Sequence, residues 1–171
     1  MNRCVFLDRD GTINVDKGYV YLPSEVEFLQ GVPIALKRLK EKGFFLIVIT
    51  NQSGVARGKF NLSNVYQFHQ EMNSQLKSLA DVFIDAFYVC PHHPLGIVSP
   101  YNTVCKCRKP QPGLIYRAAC EYNIDLKSSY MVGDKDIDIE LGQRAGLKGT
   151  YKIQEYGTLL EVSKEIIEHG G

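Results

Sequence analysis

A chain of 171 residues with 44% hydrophobic composition is long enough for one domain with a full core and too short for two comfortable ones. A formal net charge of +1 and a pI near 7.6 exclude an overall electrostatic drive toward nucleic acid or an anionic membrane, so any basic site must be local. Charge breaks the N-terminal segment at Arg3 and Asp8 before an apolar run reaches signal-peptide or membrane-spanning length, and five cysteines, an odd count, read as cytoplasmic thiols or metal ligands rather than a disulfide framework.

In chain order, Val5-Phe6-Leu7 is a short apolar run ending at Asp8 and Gly11, and residues 44–49 form a second one ending at Thr50-Asn51. Both predict buried parallel strands. Between them Val32, Ile34, Ala35, Leu36 and Leu39 recur at helical spacing, with Lys37, Arg38, Lys40 and Lys42 on the other positions and Gly43 as the stop. Asn61-Leu62-Ser63 offers caps for a helix to about Leu79, and Phe83 to Val89 predicts a third strand. Cys90 to Pro112 is rich in Pro, Cys and His and too long for a plain connection. A helix from about Gly113 to Tyr122, a strand from Ser129 to Gly133, a helix from about Ile137 to Arg144, a short strand from Gly149 to Ile153 and a last helix carrying Leu159, Leu160, Val162, Ile166 and Ile167 follow. Cys4 and Cys120 fall within strand and helix patterns and are expected in the core. The alternation predicts a doubly wound, mostly parallel α/β sheet with helices on both faces, a single domain over 1–171, and a site at the carboxyl ends of the strands.

Asp8-Arg9-Asp10-Gly11-Thr12 directly follows the first predicted strand, so its carboxylates project from a strand end. Aspartates in such a place often only cap a turn. Here further groups stand at other strand ends: Thr50-Asn51, Lys109-Pro110 before a helix, and Gly133-Asp134-Lys135-Asp136-Ile137-Asp138. Phosphoryl transfer needs a nucleophile, a cation to offset phosphate charge, and donors aimed at the phosphate oxygens. Asp8 and Asp134 are suited to share Mg²⁺, a hard cation that takes oxygen ligands, with the Asp10 carbonyl as a third ligand. Thr50, Asn51 and Lys109 are candidate phosphate donors, and Asp138 is placed to orient Lys109.

Cys90-Pro91-His92 and Cys105-Lys106-Cys107 supply paired ligands separated by twelve residues, a set suited to tetrahedral Zn²⁺. With four protein ligands the metal would be structural, pinning the loop at 90–112; His93 is the alternative to His92. Arg108 and Lys109 follow the last cysteine, and Arg108 suits bidentate contact with a phosphate. For Arg57 and Lys59 the expectation is solvated side chains.

The order DxDGT, TN, KP, GDxxxD resembles the haloacid dehalogenase (HAD) phosphatase superfamily, with a Rossmann-like sheet. That resemblance, rather than spacing, implies that Asp8 is the nucleophile and Asp10 the acid/base. Within it, DRDGTIN, DKGYV, TNQSGVARG, CPHHP and CKCRKP are similar to the family of D-glycero-D-manno-heptose 1,7-bisphosphate 7-phosphatases, over Asp8 to about Gly146. No long insertion is visible where a large cap domain would sit. The resemblance implies hydrolysis of the C7 phosphate through an aspartyl-phosphate, on the route to nucleotide-activated heptose and lipopolysaccharide. It implies Mg²⁺ on Asp8, Asp10 and Asp134, Zn²⁺ on Cys90, His92, Cys105 and Cys107, and catalytic roles for Thr50 and Lys109. Asp16, Tyr19, Asn51, Ser53, Arg108, Lys109 and Lys135 would line the substrate, in a monomer that engages neither nucleic acid nor membrane. The nearest rival is a histidinol-phosphate phosphatase, whose zinc loop is generally shorter; a non-catalytic phosphate-binding protein and a polynucleotide 3'-phosphatase are more distant ones.

Overall fold

The residues of β1 (Arg3–Leu7) are buried on both faces from Cys4 onward, which places this strand at the centre of a sheet. The computed structural model describes residues 1–169; Gly170 and Gly171, the end of the predicted domain, lie outside the described residues. After β1 come α1 (Val32–Glu41), β2 (Phe44–Asn51), α2 (Leu62–Ala80), β3 (Ala86–Cys90), α3 (Gly113–Glu121), β4 (Tyr130–Gly133), α4 (Asp136–Ala145), β5 (Gly149–Lys152), the short α5 (Ile153–Tyr156) and α6 (Leu159–His169).

The strands form a five-stranded sheet in the order β3-β2-β1-β4-β5 with every pairing parallel. Side chains alternate across it. Val5 and Leu7 join α1, α2 and α6 in one apolar layer through Val32, Leu36, Phe68, Met72, Val162 and Ile166. Cys4 and Phe6 face the other layer with Ile115, Ala118 and Leu141 of α3 and α4. The chain leaves β1 toward β2 on one side and returns to β4 on the other, so the connections diverge beyond the carboxyl ends of β1 and β4 and leave a crevice there.

The third strand begins at Ala86 rather than Phe83. Side chains take up the backbone just before it: Asn73 brackets Ile84 (Ile84 N–H to Oδ1 2.8 Å, Nδ2 to the Ile84 carbonyl 3.0 Å), and Asp85 Oδ2 accepts from the Leu46 N–H at 2.8 Å. Cys4 is buried as expected, but Cys120 is exposed, because α3 buries Leu114, Ile115 and Ala118 and turns residue 120 away from that face. The helical turn α5 has no counterpart in the sequence reading. No described helix is long and apolar enough to cross a membrane.

Candidate active site

Asp8 follows the last residue of β1, its N–H bonded to the Val132 carbonyl of β4 at 2.9 Å, so the neighbouring strand sets the direction in which the chain leaves the sheet. Gly11 then turns with φ +82°, a conformation glycine adopts without the steric cost of a Cβ. An open cleft of about 240 Å³ results, lined by Asp8, Asp10, Asp16, Tyr19, Asn51, Gln52, Ser53, Lys109, Lys135 and Ile137 among others.

Lys109 reaches the floor of this cleft from the far end of the Cys/His loop. Its Nζ donates to Asp8 Oδ1 at 2.6 Å and to Asp138 Oδ1 at 2.7 Å, with all three groups buried. Burial alone would discharge the ammonium, but the two carboxylates override it and raise Lys109 above its ordinary value. Burial pushes the Asp8 carboxyl up, and the charge and hydrogen bond of Lys109 more than offset this, so Asp8 stays ionised below its usual range. Asp138 also accepts from the Lys135 N–H at 3.1 Å in the first turn of α4, which fixes the carboxylate that fixes Lys109.

Ligand atoms of Asp8, Asp134 and Asp138 lie within 4.8 Å of one another. Asp134 Oδ1 is buried with no hydrogen-bond partner, and burial followed by the adjacent Asp8 lifts this carboxyl to about 7. An orphaned oxygen beside a second carboxylate, with Lys109 already shared by the other two, is the donor set a hard divalent cation satisfies. The Asp10 side chain is committed elsewhere. Oδ1 accepts from Arg9 Nε at 3.0 Å and Asn14 Nδ2 at 2.9 Å, and Oδ2 from Arg9 Nη2 at 3.0 Å and Gln52 Nε2 at 3.0 Å. Of the Asp10 atoms, this leaves the carbonyl as the one to offer a cation.

The Cys/His loop closes on itself at a second cluster. Cys107 Sγ lies 3.2 Å from Cys90 Sγ and 3.3 Å from Cys105 Sγ, and His92 Nδ1 lies 3.2 Å from Cys107 Sγ. Tetrahedral zinc–thiolate bonds of about 2.3 Å put sulfurs about 3.8 Å apart, close to this spacing. Hydrogen bonds from Cys90 and then, against burial, from Cys105 and His92 bring the Cys107 thiol down to about 5, while Cys90 is pushed up. Four soft donors thus meet at one point, the set a tetrahedral zinc ion takes. His93 stands apart, its Nε2 3.2 Å from Arg57 Nη2, so His92 is the imidazole of the set.

Of the predicted site residues, Asp8, Asp10, Asp16, Tyr19, Asn51, Ser53, Lys109 and Lys135 meet in the cleft, with Asp134 next to Asp8. Thr50 is buried and does not line the cleft; its Oγ1 accepts from Gln52 Nε2 at 2.8 Å. The Asn51 amide pairs with the Lys109 backbone, accepting from its N–H at 3.0 Å and donating to its carbonyl at 3.4 Å, so it steadies the lysine as well as facing the cleft. Arg108 lines not the cleft but a neighbouring depression with His93, Pro110 and Lys109, which borders both, and its Nη1 donates to the His92 carbonyl at 3.3 Å. Lys59 is exposed as expected, whereas Arg57 is half-buried against His93. Arg9 and Gln52 were missed by sequence reasoning. An arginine between two carboxylates at a strand end was the available signal for the first; for the second there was none beyond its neighbours.

A family model described as HAD-hyrolase-like matches residues 106–151. Over 143 residues, 84% of this chain and 74% of the other, the sequence is 48% identical to a protein of Escherichia coli (strain K12) named D-glycero-beta-D-manno-heptose-1,7-bisphosphate 7-phosphatase. A protein of the same name from Pasteurella multocida is 42% identical over 172 aligned positions, 99% of this chain and 88% of its own. The crystal structure of D,D-heptose 1.7-bisphosphate phosphatase from B. bronchiseptica, complexed with magnesium and phosphate, superposes with a TM-score of 0.83 at 29% identity, covering 97% of this chain and 98% of the other.

Proposed function

The chain belongs to the D-glycero-beta-D-manno-heptose-1,7-bisphosphate 7-phosphatase family, and from that premise we propose that it hydrolyses the C7 phosphate of D-glycero-D-manno-heptose 1,7-bisphosphate to leave heptose 1-phosphate. The observation that carries the reading is the buried, ionised Asp8 held by Lys109 beside an Asp134 whose inner oxygen has no partner.

In this reading an Asp8 oxygen attacks phosphorus as the bond to the C7 oxygen breaks, and Asp10 gives that oxygen its proton. Asp10, now a carboxylate, takes a proton from the water that attacks the aspartyl-phosphate, which returns Asp8 and releases phosphate. Mg²⁺ would be held by Asp8, Asp134 and the Asp10 carbonyl and would neutralise phosphate charge. Lys109 keeps Asp8 unprotonated for attack and presents positive charge to the phosphate; Asn51 and Asp138 keep Lys109 in place. Thr50 acts through Gln52, which it anchors against Asp10.

Asp16, Tyr19, Ser53 and Lys135, around the cleft, support recognition of the sugar and its second phosphate. Arg108 stands outside this lining, with its Nη1 on the His92 carbonyl. Zn²⁺ on Cys90, His92, Cys105 and Cys107 is assigned a structural role, holding the loop that ends in Lys109. The chain is read as a single phosphatase domain acting as a cytoplasmic monomer.

Phosphorus NMR of the reaction with heptose 1,7-bisphosphate tests the reading, with histidinol phosphate as the competitor. Loss of the C7 signal with the C1 signal retained, abolished in Asp8→Asn, is expected. Preferential turnover of histidinol phosphate, or activity persisting in Asp8→Asn, would overturn it.

A further inference from the structure

Behind the cleft, the apolar layer under the sheet contains two polar side chains that the reaction described above does not use directly. Arg9 is fully buried and His69, on α2, is almost so. The guanidinium donates from Nε and Nη2 to the two oxygens of Asp10 at 3.0 Å each, from Nη2 to the Val20 carbonyl at 3.2 Å, and from Nη1 to His69 Nε2 at 3.2 Å, while its carbon lies 4.4 Å from the Phe68 ring centroid. An arginine has no acceptor, so His69 Nε2 must carry a lone pair and its proton must sit on Nδ1. Burial and then the Arg9 charge both hold His69 well below its ordinary value, which keeps the ring neutral and the lone pair free to accept.

The guanidinium is planar, so its contacts move together. If Nη1 loses its acceptor, the group can recover a partner only by turning, and that turn carries Nε and Nη2 off the Asp10 oxygens. The His69 ring also stacks on Phe87 with centroids 4.2 Å apart and planes 12° from parallel. A phenylalanine would supply that stacking equally; what it lacks is the Nε2 acceptor.

We propose that His69 is a positioning residue for the phosphatase reaction: its Nε2 fixes the Arg9 guanidinium, which holds the Asp10 carboxylate in the orientation its proton transfers require. The inference rests on the assignment of Asp10 as acid/base. It extends the working site from the strand ends to the interior face of α2.

The test uses the full chain with His69→Phe, which keeps the stacking, and the shape-matched pair His69→Gln and His69→Met, of which only the glutamine restores a strong acceptor. Heptose bisphosphate turnover and p-nitrophenyl phosphate kinetics are measured with magnesium, and melting temperature is followed alongside. His69→Phe and His69→Met should lose roughly tenfold to a hundredfold in kcat with KM within about twofold, the size of effect that a misplaced catalytic group produces. His69→Gln should recover most of it.

The nitrophenolate leaves without a proton, so its first release should persist in His69→Phe while the following steady state, which needs Asp10 as base, slows. Wild-type kcat in folded His69→Phe, or equal kcat in the Gln and Met variants, would overturn the inference. Should His69→Phe fail to fold, the Gln and Met comparison decides. A wild-type protein inert toward heptose bisphosphate would instead overturn the functional reading itself.

Discussion

Gly11 packs tightly against Asp134, the carboxylate beside Asp8: a Cβ built on Gly11 would lie 2.8 Å from the Asp134 Cγ, and the glycine holds φ +82°. The turn after β1 and the carboxylate after β4 are therefore fitted to each other without room for a methyl group. Gly11→Ala should cost about 1 kcal/mol in backbone strain and displace Asp134 besides. The magnesium concentration for half-maximal activity should rise about tenfold or more, read by titrating activity with MgCl₂. An unchanged midpoint would show that Asp134 does not hold the ion.

Lys109 bridges two buried carboxylates with a single positive charge, Asp8 and Asp138. Lys109→Met leaves them facing each other with no protein cation between them. Removing one partner of such a buried set typically costs about 3–5 kcal/mol. Urea unfolding should show a loss of that order in metal-free protein, recovered in part by magnesium, and activity should disappear. Asp138→Asn keeps a hydrogen-bond acceptor for Lys109 and should fold well while turning over more slowly.

The cysteines and His92 predict a metal separate from the catalytic one. Purified protein should contain about one zinc per chain, and its removal with a strong chelator should lower the melting temperature by about 2–4 °C for each kcal/mol lost at this chain length. Because the loop ends in Lys109, the zinc-depleted protein and Cys107→Ser should lose activity even with magnesium in excess. Elemental analysis and a thermal shift assay, each with zinc restored, check this; full activity without zinc would detach the loop from the site.

The fold was legible because parallel strands buried on both faces leave unbroken apolar runs, as Val5-Phe6-Leu7 and residues 44–49 do. The start of β3 was not, because Asn73 and Asp85 replace ladder hydrogen bonds with side-chain ones, and apolar pattern does not register such a substitution. Asp8, Lys109, Asp134 and Asp138 could be gathered since each stands at a strand or helix end. The pairing of Arg9 with His69 could not: His69 falls in register with the apolar residues Val65, Phe68, Met72 and Leu76 of α2 and reads as one more core position. Its partner lies sixty residues away. Arg108 shows the opposite limit: adjacency to Lys109 suggested the cleft, but Arg108 is absent from its lining and its Nη1 donates to the His92 carbonyl instead.

His69 also gives the stability of the protein a pH dependence with a definite sign. Its folded-state value is held well below the ordinary 6.5 by burial and by Arg9, with the Phe87 ring on its stacked face. Above 6.5 the ring is neutral in both folded and unfolded chains and contributes no slope. As the pH falls through 6.5 the unfolded chain takes up a proton that the folded one refuses, so stability is lost, at up to about 1.4 kcal/mol per pH unit, until the depressed folded value is reached. Urea unfolding of wild type and His69→Phe at a series of pH values isolates this group, since titrations common to both proteins cancel in their difference. The wild type should lose stability relative to the variant below pH 6.5 and hold a constant difference above it; a difference independent of pH would mean that His69 titrates normally and does not serve as a neutral acceptor for Arg9.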